Sequence, residues 1–104
     1  MSVDVDETLK RISGKKGVKA VVIINNEGQT IRSTLDKDLS KKYGQLISGL
    51  VQQARTMVTT LDDQNDLTFL RIRTKKHEIM VAPDQDYLLV VVQNPVEVMQ
   101  QHQQ

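Results

Sequence analysis

The stretch LDKDLSKKYGQLISGLVQQARTMVTTLDDQND, residues 35–66, decides the fold because apolar side chains recur in it at helical spacing. Asp36 or Asp38 can cap the start of a helix that is predicted to end at about Leu61. At about 1.5 Å per residue, this helix is about 35 Å long. Its apolar positions are Leu39, Tyr43, Leu46, Ile47, Leu50, Val51, Ala54, Met57, Val58 and Leu61. One long amphipathic helix is therefore predicted in the middle of the chain.

The apolar stripe of this helix is wider than packing on one sheet requires. Projected at about 100° per residue, it spans about 140°, whereas about 100° is enough to cover a sheet. The flank in excess is predicted to consist of Ile47, Val51, Ala54 and Val58. Gly44 beside it would let another backbone approach closely. The only other predicted helix is short and has one narrow stripe, so self-association is favoured over cover by the same chain.

Upstream of the long helix, the sequence predicts a short helix and a two-stranded hairpin. The short helix runs from about Asp4 to Ser13, with Asp4 as its cap and Gly14 at its end. The segment Val18–Asn25 is apolar on both faces, which is typical of a central strand. After the turn residues NNEG, residues 29–34 contain few apolar side chains and are predicted to form the outer strand of the hairpin.

Downstream of the long helix, three more strands are predicted. Residues 67–74 form an edge strand, residues 77–83 return beside it, and Tyr87–Gln93 is a central strand because it is apolar on both faces. Pairing the first strand with the last gives the order 2-1-5-4-3. The predicted fold class is α+β, with element order α-β-β-α-β-β-β. A five-stranded antiparallel sheet carries the long helix on one face and the short N-terminal helix on the other.

The composition argues against several classes of function. The chain has 14 basic and 13 acidic residues and a formal charge of +1, too small to favour nucleic acid or an anionic membrane as a partner. Base stacking also requires aromatic platforms, and only 3% of the residues are aromatic. The lysine pairs at residues 15–16, 41–42 and 75–76 are therefore interpreted as solvated turns and caps. The N-terminal residues are acidic, unlike a signal peptide, and the longest apolar runs are far shorter than the ~20 residues of a membrane helix.

No set of residues typical of catalysis or cofactor binding occurs in the sequence. The two histidines are His77 and His102, and His102 lies in a Gln-rich tail, so a structural or solvated histidine is predicted at position 77. The segment SGKKG, residues 13–17, is too short for a phosphate-binding P-loop. The three aspartates of residues 62–66 lie in a predicted turn, where Asp is common, and a metal site there is the minor alternative. We expect a non-catalytic protein without cofactor, metal or small-molecule substrate.

Several segments resemble the roadblock-type dynein light chains. The most specific is NDLTFLRIRTKKHEIMVAPDQDYLLVVVQNP, residues 65–95, and the upstream segments ETLKRI, KGV and EGQTIRSTL agree with it. The similarity spans about residues 3–95 and is weaker in the long helix, which shares the pattern more than distinctive residues. It implies a roadblock-like (profilin-like) fold for residues 1–95, predicted as a single domain. The Gln-rich residues 96–104 are predicted to be a flexible tail.

The resemblance also implies dimerisation and a partner. Family members pair their long helices and the adjacent edge strands, which joins two sheets into one, and the dimer binds a segment of the dynein intermediate chain. Carried over by position, the dimer interface comprises Gly44, Ile47, Val51, Ala54, Val58, Leu70 and Ile72. On the sheet face away from the long helices, an apolar floor with basic sides would suit an acidic amphipathic helix. The residues predicted to bind the intermediate chain there are Leu67, Phe69, Arg71 and Arg73.

The resemblance leaves several alternatives open. The second subunit is either the same chain or a paralogue, because a heterodimer needs only a similar surface on the other chain. The expected location is the cytoplasm and the microtubule cytoskeleton, including the axoneme of a cilium or flagellum. Related roadblock-fold proteins act instead as dimeric platforms that bind or regulate small GTPases. Fold alone does not separate these two functions.

Overall fold

The structure is a computed structural model that describes residues 4–95 of the 104-residue chain. Its elements are α1 (Val5–Ser13), β1 (Val18–Asn25), β2 (Thr30–Ser33), α2 (Lys37–Leu61), β3 (Leu70–Arg73), β4 (Glu78–Pro83) and β5 (Tyr87–Gln93). The predicted flexible tail, residues 96–104, lies outside the described residues. No helix in the described part of the chain is both long and apolar enough to cross a membrane.

The five strands form one antiparallel sheet in the order β2-β1-β5-β4-β3. The element order and the strand order confirm the predicted fold class. In the middle of the sheet, Val90 of β5 lies opposite both Val22 of β1 and Val81 of β4. These three side chains are fully buried, so the centre of the sheet is also the centre of the core.

Helix α2 covers one face of the sheet, which we call the helix face. It begins where the Asp36 side chain accepts the backbone N–H of Leu39 at 2.8 Å, as predicted for a capping aspartate. Beneath it lies an aliphatic core of Val22, Ile24, Ile47, Val51, Val81, Leu88 and Val90. Full burial of one such side chain stabilises the fold by about 1.5–3 kcal/mol, so this row supplies much of the driving force for folding.

Helix α1 lies on the opposite face, which we call the outer face. The Asp4 side chain accepts the N–H of Glu7 at 3.1 Å and caps the helix. Asp6 forms an exposed ion pair with Arg32 of β2 at 2.6 Å, which links the helix to the β1–β2 hairpin. Val21 and Ile23 of β1 point to this face and are fully buried. The prediction that the two helices lie on opposite faces is confirmed.

Both helices pack mainly over β1 and β2, which leaves the β4–β3 half of the sheet less covered. Burial along β5 alternates as a result. Leu88, Val90 and Val92 on the helix face are buried, whereas the residues between them on the outer face are half-buried. The prediction that β5 is a central strand is correct, but its outer face is covered less than that prediction implied.

Strand β3 is shorter than the predicted strand at residues 67–74. Its ladder with β4 begins at Leu70, opposite Val81, and the same register would place Thr68 opposite Pro83. Proline has no N–H to donate, so the ladder does not extend that far. Leu67 instead donates its N–H to the Asp66 side chain at 2.7 Å, a local bond that competes with strand pairing.

Candidate partner-binding surface

The long helix has an exposed apolar flank, but it is not the flank that the sequence predicted. Leu46 is 73% exposed and Leu61 is 80% exposed, although both belong to the apolar stripe of α2. We define the apolar flank as Leu39, Leu46, Leu50, Met57 and Leu61, all of which are exposed. An apolar row of this length on a helix that already covers a sheet is typical of a protein–protein contact.

The predicted excess flank at Ile47 and Val51 is wrong, because these side chains are only 6% and 3% exposed and belong to the core beneath α2. Ala54 and Val58 are half-buried. The periodicity correctly predicted a stripe wider than the sheet contact requires, but it did not determine which side of the stripe faces the sheet. The true apolar flank lies on the other side of the buried residues from Gly44.

Gly44 is likewise used within the protein. A Cβ atom at this position would lie 2.8 Å from the Gly28 carbonyl oxygen and 2.8 Å from Thr30 Oγ1. The predicted close approach of a backbone to Gly44 therefore takes place, but the backbone is that of the chain's own β1–β2 hairpin. Two hydrogen bonds reinforce this contact. Thr30 Oγ1 donates to the Ser40 carbonyl at 2.7 Å, and Ser40 Oγ lies 2.7 Å from Ser33 Oγ.

Strand β3 provides an edge beside this helix face. Within the described residues it pairs with β4 on one side and with no strand on the other. Leu70 and Ile72 point to the helix face, where they are half-buried, and Leu70 packs against the core. The apolar flank lies on the side of α2 that faces away from the β1–β2 hairpin, since Gly44 on the opposite side contacts Gly28 and Thr30. An unpaired strand edge can accept another strand, and an exposed apolar flank can accept another helix.

The outer face of β3, β4 and β5 carries two complete rows of side chains across the strands. One row consists of Arg71, Met80 and Val91, and the other of Arg73, Glu78 and Gln93. Ala82 and Leu89 extend the surface at the apolar end, where the chain enters β3 through Phe69. Phe69 is 48% exposed. We call Phe69, Arg71, Arg73, Met80, Leu89 and Val91 the outer patch.

The charged end of the outer patch is organised by Glu78, which is 0% exposed. Its Oε1 accepts a hydrogen bond from Gln93 Nε2 at 2.7 Å. Its Oε2 accepts from Arg73 Nη2 at 3.3 Å and lies 3.5 Å from Arg71 Nε. Arg73 stands directly across the ladder from Glu78 and Arg71 stands diagonally, so strand register brings the three charges together.

These contacts determine the charge state of the buried carboxylate. Burial alone would raise the pKa of Glu78, but the hydrogen bonds from Gln93 and Arg73 and the positive charges of Arg71 and Arg73 lower it below its ordinary value. Glu78 is therefore ionised at neutral pH. The side chains of Arg71 and Arg73 are 55% and 41% exposed, so both reach the surface while contacting the buried charge.

Leu67 does not lie on the outer face, so its predicted place beside Phe69 is wrong. It is half-buried and packs against the core beneath α2. The alternation of a strand cannot be extended back to it, because the ladder begins only at Leu70. Arg71 and Arg73 lie on the outer face as predicted, beside Met80 and Glu78 of β4. Phe69 is exposed and lies one residue before β3, and its place on this face stays a prediction.

The minor alternatives for chemistry gain no support from the described residues. Within residues 4–95, no three His, Cys, Asp or Glu side chains lie close enough to hold a metal ion. The predicted turn at residues 62–66 uses its carboxylates locally. Asp62 Oδ1 accepts the N–H of Gln64 at 3.0 Å, and Asp66 lies 3.4 Å from Arg55 Nε.

Comparison with known protein families is consistent with this geometry. The model of the Roadblock/LC7 domain matches residues 4–94, almost the whole described chain. The chain belongs to the Roadblock/LC7 domain family. This confirms the roadblock family that residues 65–95 indicated. The match covers both helices and all five strands, so the surfaces described above are surfaces of a roadblock domain.

Solved structures share this roadblock fold at low sequence identity. A Roadblock/LC7 domain from Streptomyces avermitilis superposes with a TM-score of 0.79 at 18% identity, covering 88% of this chain and 79% of that chain. MglB of Myxococcus xanthus gives 0.75 at 18% identity over 88% and 76%. The gliding protein MglB of Thermus thermophilus gives 0.74 at 13% identity over 88% and 71%. At these identities the likeness establishes the fold alone.

Sequence reasoning missed Glu78 in this roadblock domain. Two arginines spaced by one residue on a strand, followed by a glutamate at the start of the return strand, were a usable signal. The turn between the strands is short, so Arg73 and Glu78 had to become cross-strand neighbours. The apolar contribution of Leu89 and Val91 was missed because β5 was expected to be covered on both faces, and Met80 of β4 was not assigned to a face.

Proposed function

We propose that this roadblock domain is a non-catalytic light chain of dynein that dimerises and binds a segment of the dynein intermediate chain. The observation that carries the proposal is the similarity of residues 65–95 to roadblock-type dynein light chains, in the part of the chain that forms β3 and the outer patch. Membership of the Roadblock/LC7 domain family supports it. In this role the protein contributes to motor assembly and to attachment of cargo or microtubule doublets.

The dimer is proposed to form through the apolar flank of α2 and the open edge of β3. Leu70 and Ile72 stay in the proposed interface because they belong to that edge strand and are half-buried. Ala54 and Val58, which are also half-buried, are kept as minor contributors. Antiparallel pairing of β3 with a second β3 would satisfy the backbone groups of both edges. Because a two-fold contact uses the same surface on each copy, no second type of surface is needed. A paralogue with the same surface would form a heterodimer in the same way.

The intermediate chain is proposed to bind on the outer patch. Phe69, Met80 and Val91 give it an apolar floor, and Arg71 and Arg73 give it one basic side. An amphipathic helix with acidic residues beside its apolar face complements this arrangement. The outer patch lies on the opposite sheet face from α2, so partner binding and dimerisation use different surfaces.

Light scattering on the purified protein tests both parts of the proposal. The protein alone is expected to have the mass of a dimer, and the mass should rise when an equimolar intermediate-chain segment is added. The double variant Phe69→Ala/Arg71→Gln should remain a dimer and lose the mass gain. Lys41→Gln, which removes one positive charge from an exposed position of α2, is the matched control and should behave like the wild type. A monomeric wild-type protein would contradict the homodimer.

A second candidate function is a dimeric platform that binds or regulates a small GTPase. The fold is shared with two MglB proteins. This favours the GTPase platform as the second candidate, since related roadblock-fold proteins bind or regulate small GTPases. Pull-down from cell extract separates the two functions. Recovery of dynein intermediate chains supports the light-chain role, whereas recovery of a GTPase that depends on the added nucleotide supports the platform.

The light-chain proposal also places the protein in the cytoplasm, on the microtubule cytoskeleton. Association with an axoneme would identify its motor as a ciliary or flagellar dynein. Fluorescent tagging in a ciliated cell distinguishes these locations. Signal along cytoplasmic microtubules supports a transport motor, and signal confined to the axoneme supports a doublet-attached one.

A further inference from the structure

We infer that Glu78 is a positioning residue of the outer patch, which holds the guanidinium groups of Arg71 and Arg73 in the arrangement that receives acidic side chains of a bound helix. The inference rests on the proposed function, because it assigns a role within that partner-binding surface. Glu78 itself is buried and does not contact the partner. Its effect on binding is exerted through the two arginines.

The geometry of the cluster supports this role. The carboxylate lies 3.5 Å from Arg71 Nε and 3.3 Å from Arg73 Nη2. The two arginine side chains are 55% and 41% exposed, so the carboxylate holds side chains that extend to the protein surface. Arg71 Nη2 also lies 3.6 Å from Met80 Sδ, so the guanidinium group is placed over the apolar floor. Gln93 fixes the other carboxylate oxygen and thereby the orientation of Glu78.

A purely stabilising role accounts for this cluster less well. Burying a carboxylate carries a large desolvation penalty, and an apolar residue at such a position is often as stable as an ion pair. The pairs also involve arginines that are about half exposed, and pairs near the solvent contribute little to stability. Orientation of the two side chains is a gain that an apolar residue at position 78 would not provide.

The size of this gain follows from the flexibility of arginine. A free arginine loses rotamer freedom when it binds a carboxylate, and each ordered side chain weakens binding measurably. If Glu78 orders both arginine side chains in the free protein, their rotamer freedom is lost before binding and no longer weakens it. Removing the carboxylate is therefore expected to weaken binding of an acidic helix about tenfold.

Charge alone predicts the opposite result. Arg71, Arg73 and Glu78 together carry one net positive charge, and replacing Glu78 with glutamine leaves two. An acidic partner would bind a more positive surface more tightly if only the electrostatic field mattered. The direction of the change in affinity thus distinguishes positioning from simple attraction.

The test measures binding of a fluorescein-labelled intermediate-chain segment by fluorescence anisotropy. Glu78→Gln is expected to raise Kd about tenfold, and Glu78→Asp to raise it less, since aspartate keeps the charge but is one methylene shorter. Asp6→Asn is the matched control. It removes one carboxylate that pairs with an arginine at the α1 end of the sheet, and it should leave Kd unchanged.

A second readout follows the arginine side chain directly. In NMR relaxation of the free protein, the Nε–Hε group of Arg71 should be ordered in the wild type and mobile in Glu78→Gln. A change of stability alone would not produce this local change in a protein that remains folded, which thermal unfolding and mass measurements verify.

The outcomes separate this inference from the proposed function. If the wild type does not bind the segment, the proposed function fails, and the role of Glu78 for this partner fails with it. If the wild type binds and folded Glu78→Gln binds equally well or more tightly, only the inference is overturned. Should Glu78→Gln fail to fold, Glu78→Asp decides: an unchanged Kd overturns the inference and a raised Kd supports it.

Discussion

The two edges of the sheet are closed to very different degrees. At the β2 edge, α1 and α2 pack over the strand from both faces, and Arg32 Nη1 donates to the Ile31 carbonyl at 2.6 Å. At the β3 edge, the four-residue strand has Leu70 and Ile72 half-buried on one face and exposed arginines on the other. Strand length does not explain the difference, since both edge strands have four residues. Whether an edge is open to pairing with another strand is therefore determined by the side chains and helices around it.

The largest effect is expected from charges on the apolar flank of α2, which is proposed to pair together with the β3 edge. Leu46→Glu/Met57→Glu should raise the dimer dissociation constant at least about 100-fold, about 2.7 kcal/mol, because two carboxylates from each subunit would be desolvated in the contact. Both side chains are exposed in the protomer, so its fold should persist. Sedimentation or light scattering across a dilution series measures the change.

Gln45→Glu/Thr56→Glu is the control for this experiment. It places the same two charges at exposed positions of α2 outside the apolar flank, and it should leave the dimer intact. Equal loss of the dimer in both variants would show that net charge, and not the apolar flank, controls association.

The second-largest effect is a loss of stability at the contact between α2 and the β2 edge. Gly44→Ala should lower the free energy of unfolding by about 1–3 kcal/mol, because the new methyl group would lie 2.8 Å from the Gly28 carbonyl oxygen. Chemical denaturation measures it. Gly49→Ala is a matched control on the same helix, since a Cβ at Gly49 meets no atom within 4 Å. It should be neutral or stabilise by up to about 1 kcal/mol, the difference in helix propensity. A tolerated Gly44→Ala would mean that α2 packs less closely on β2 than described.

A smaller change in stability is expected at low pH, from Glu78 beside the β3 edge. The pKa of Glu78 is lowered in the folded protein, so the unfolded chain takes up the proton first as pH falls. The stability that Glu78 contributes is present above the ordinary pKa of 4.5 and is lost as pH falls through the lower folded value. Glu78→Gln should therefore show a shallower loss of stability below about pH 4.5 than the wild type. Parallel curves for the two proteins in thermal unfolding would contradict this account.

The smallest effect is expected at the closed edge itself. Arg32→Gln removes the exposed ion pair with Asp6 and the bond to the Ile31 carbonyl, and it should lower the free energy of unfolding by at most about 1 kcal/mol. Thermal unfolding measures this loss. A much larger loss would mean that Arg32 holds α1 on the sheet, not only that it covers the edge.

The pattern of elements was predictable because it depends on local periodicity. Residues 37–61 repeat their apolar side chains every three to four positions, and β1 and β5 are apolar on both faces, so the long helix and the central strand pair followed. The capping aspartates Asp4 and Asp36 were also correct. These features need no knowledge of how the elements pack.

The candidate surfaces were less predictable because they depend on packing. Helical periodicity gives the width of an apolar stripe, but the side that faces the sheet is determined by where Gly44 meets Gly28 and Thr30. The ion pairs of Glu78 depend on strand register, which brings Arg71 and Arg73 beside it from the neighbouring strand. Leu67 was assigned to the wrong face because Pro83 ends the ladder before the alternation reaches it.

The hydrogen bond from Arg32 to the Ile31 carbonyl affects how many sheet edges can pair with another molecule, much as the number of reactive groups on a monomer determines whether it polymerises. A molecule with two reactive ends grows into a chain, whereas a molecule with one reactive end stops at a pair. Within residues 4–95, Arg32 covers one carbonyl of the β2 edge, so a strand that paired there would compete with this bond, and β3 is expected to be the more reactive end. Edge-to-edge growth into fibres would then stop after a single step.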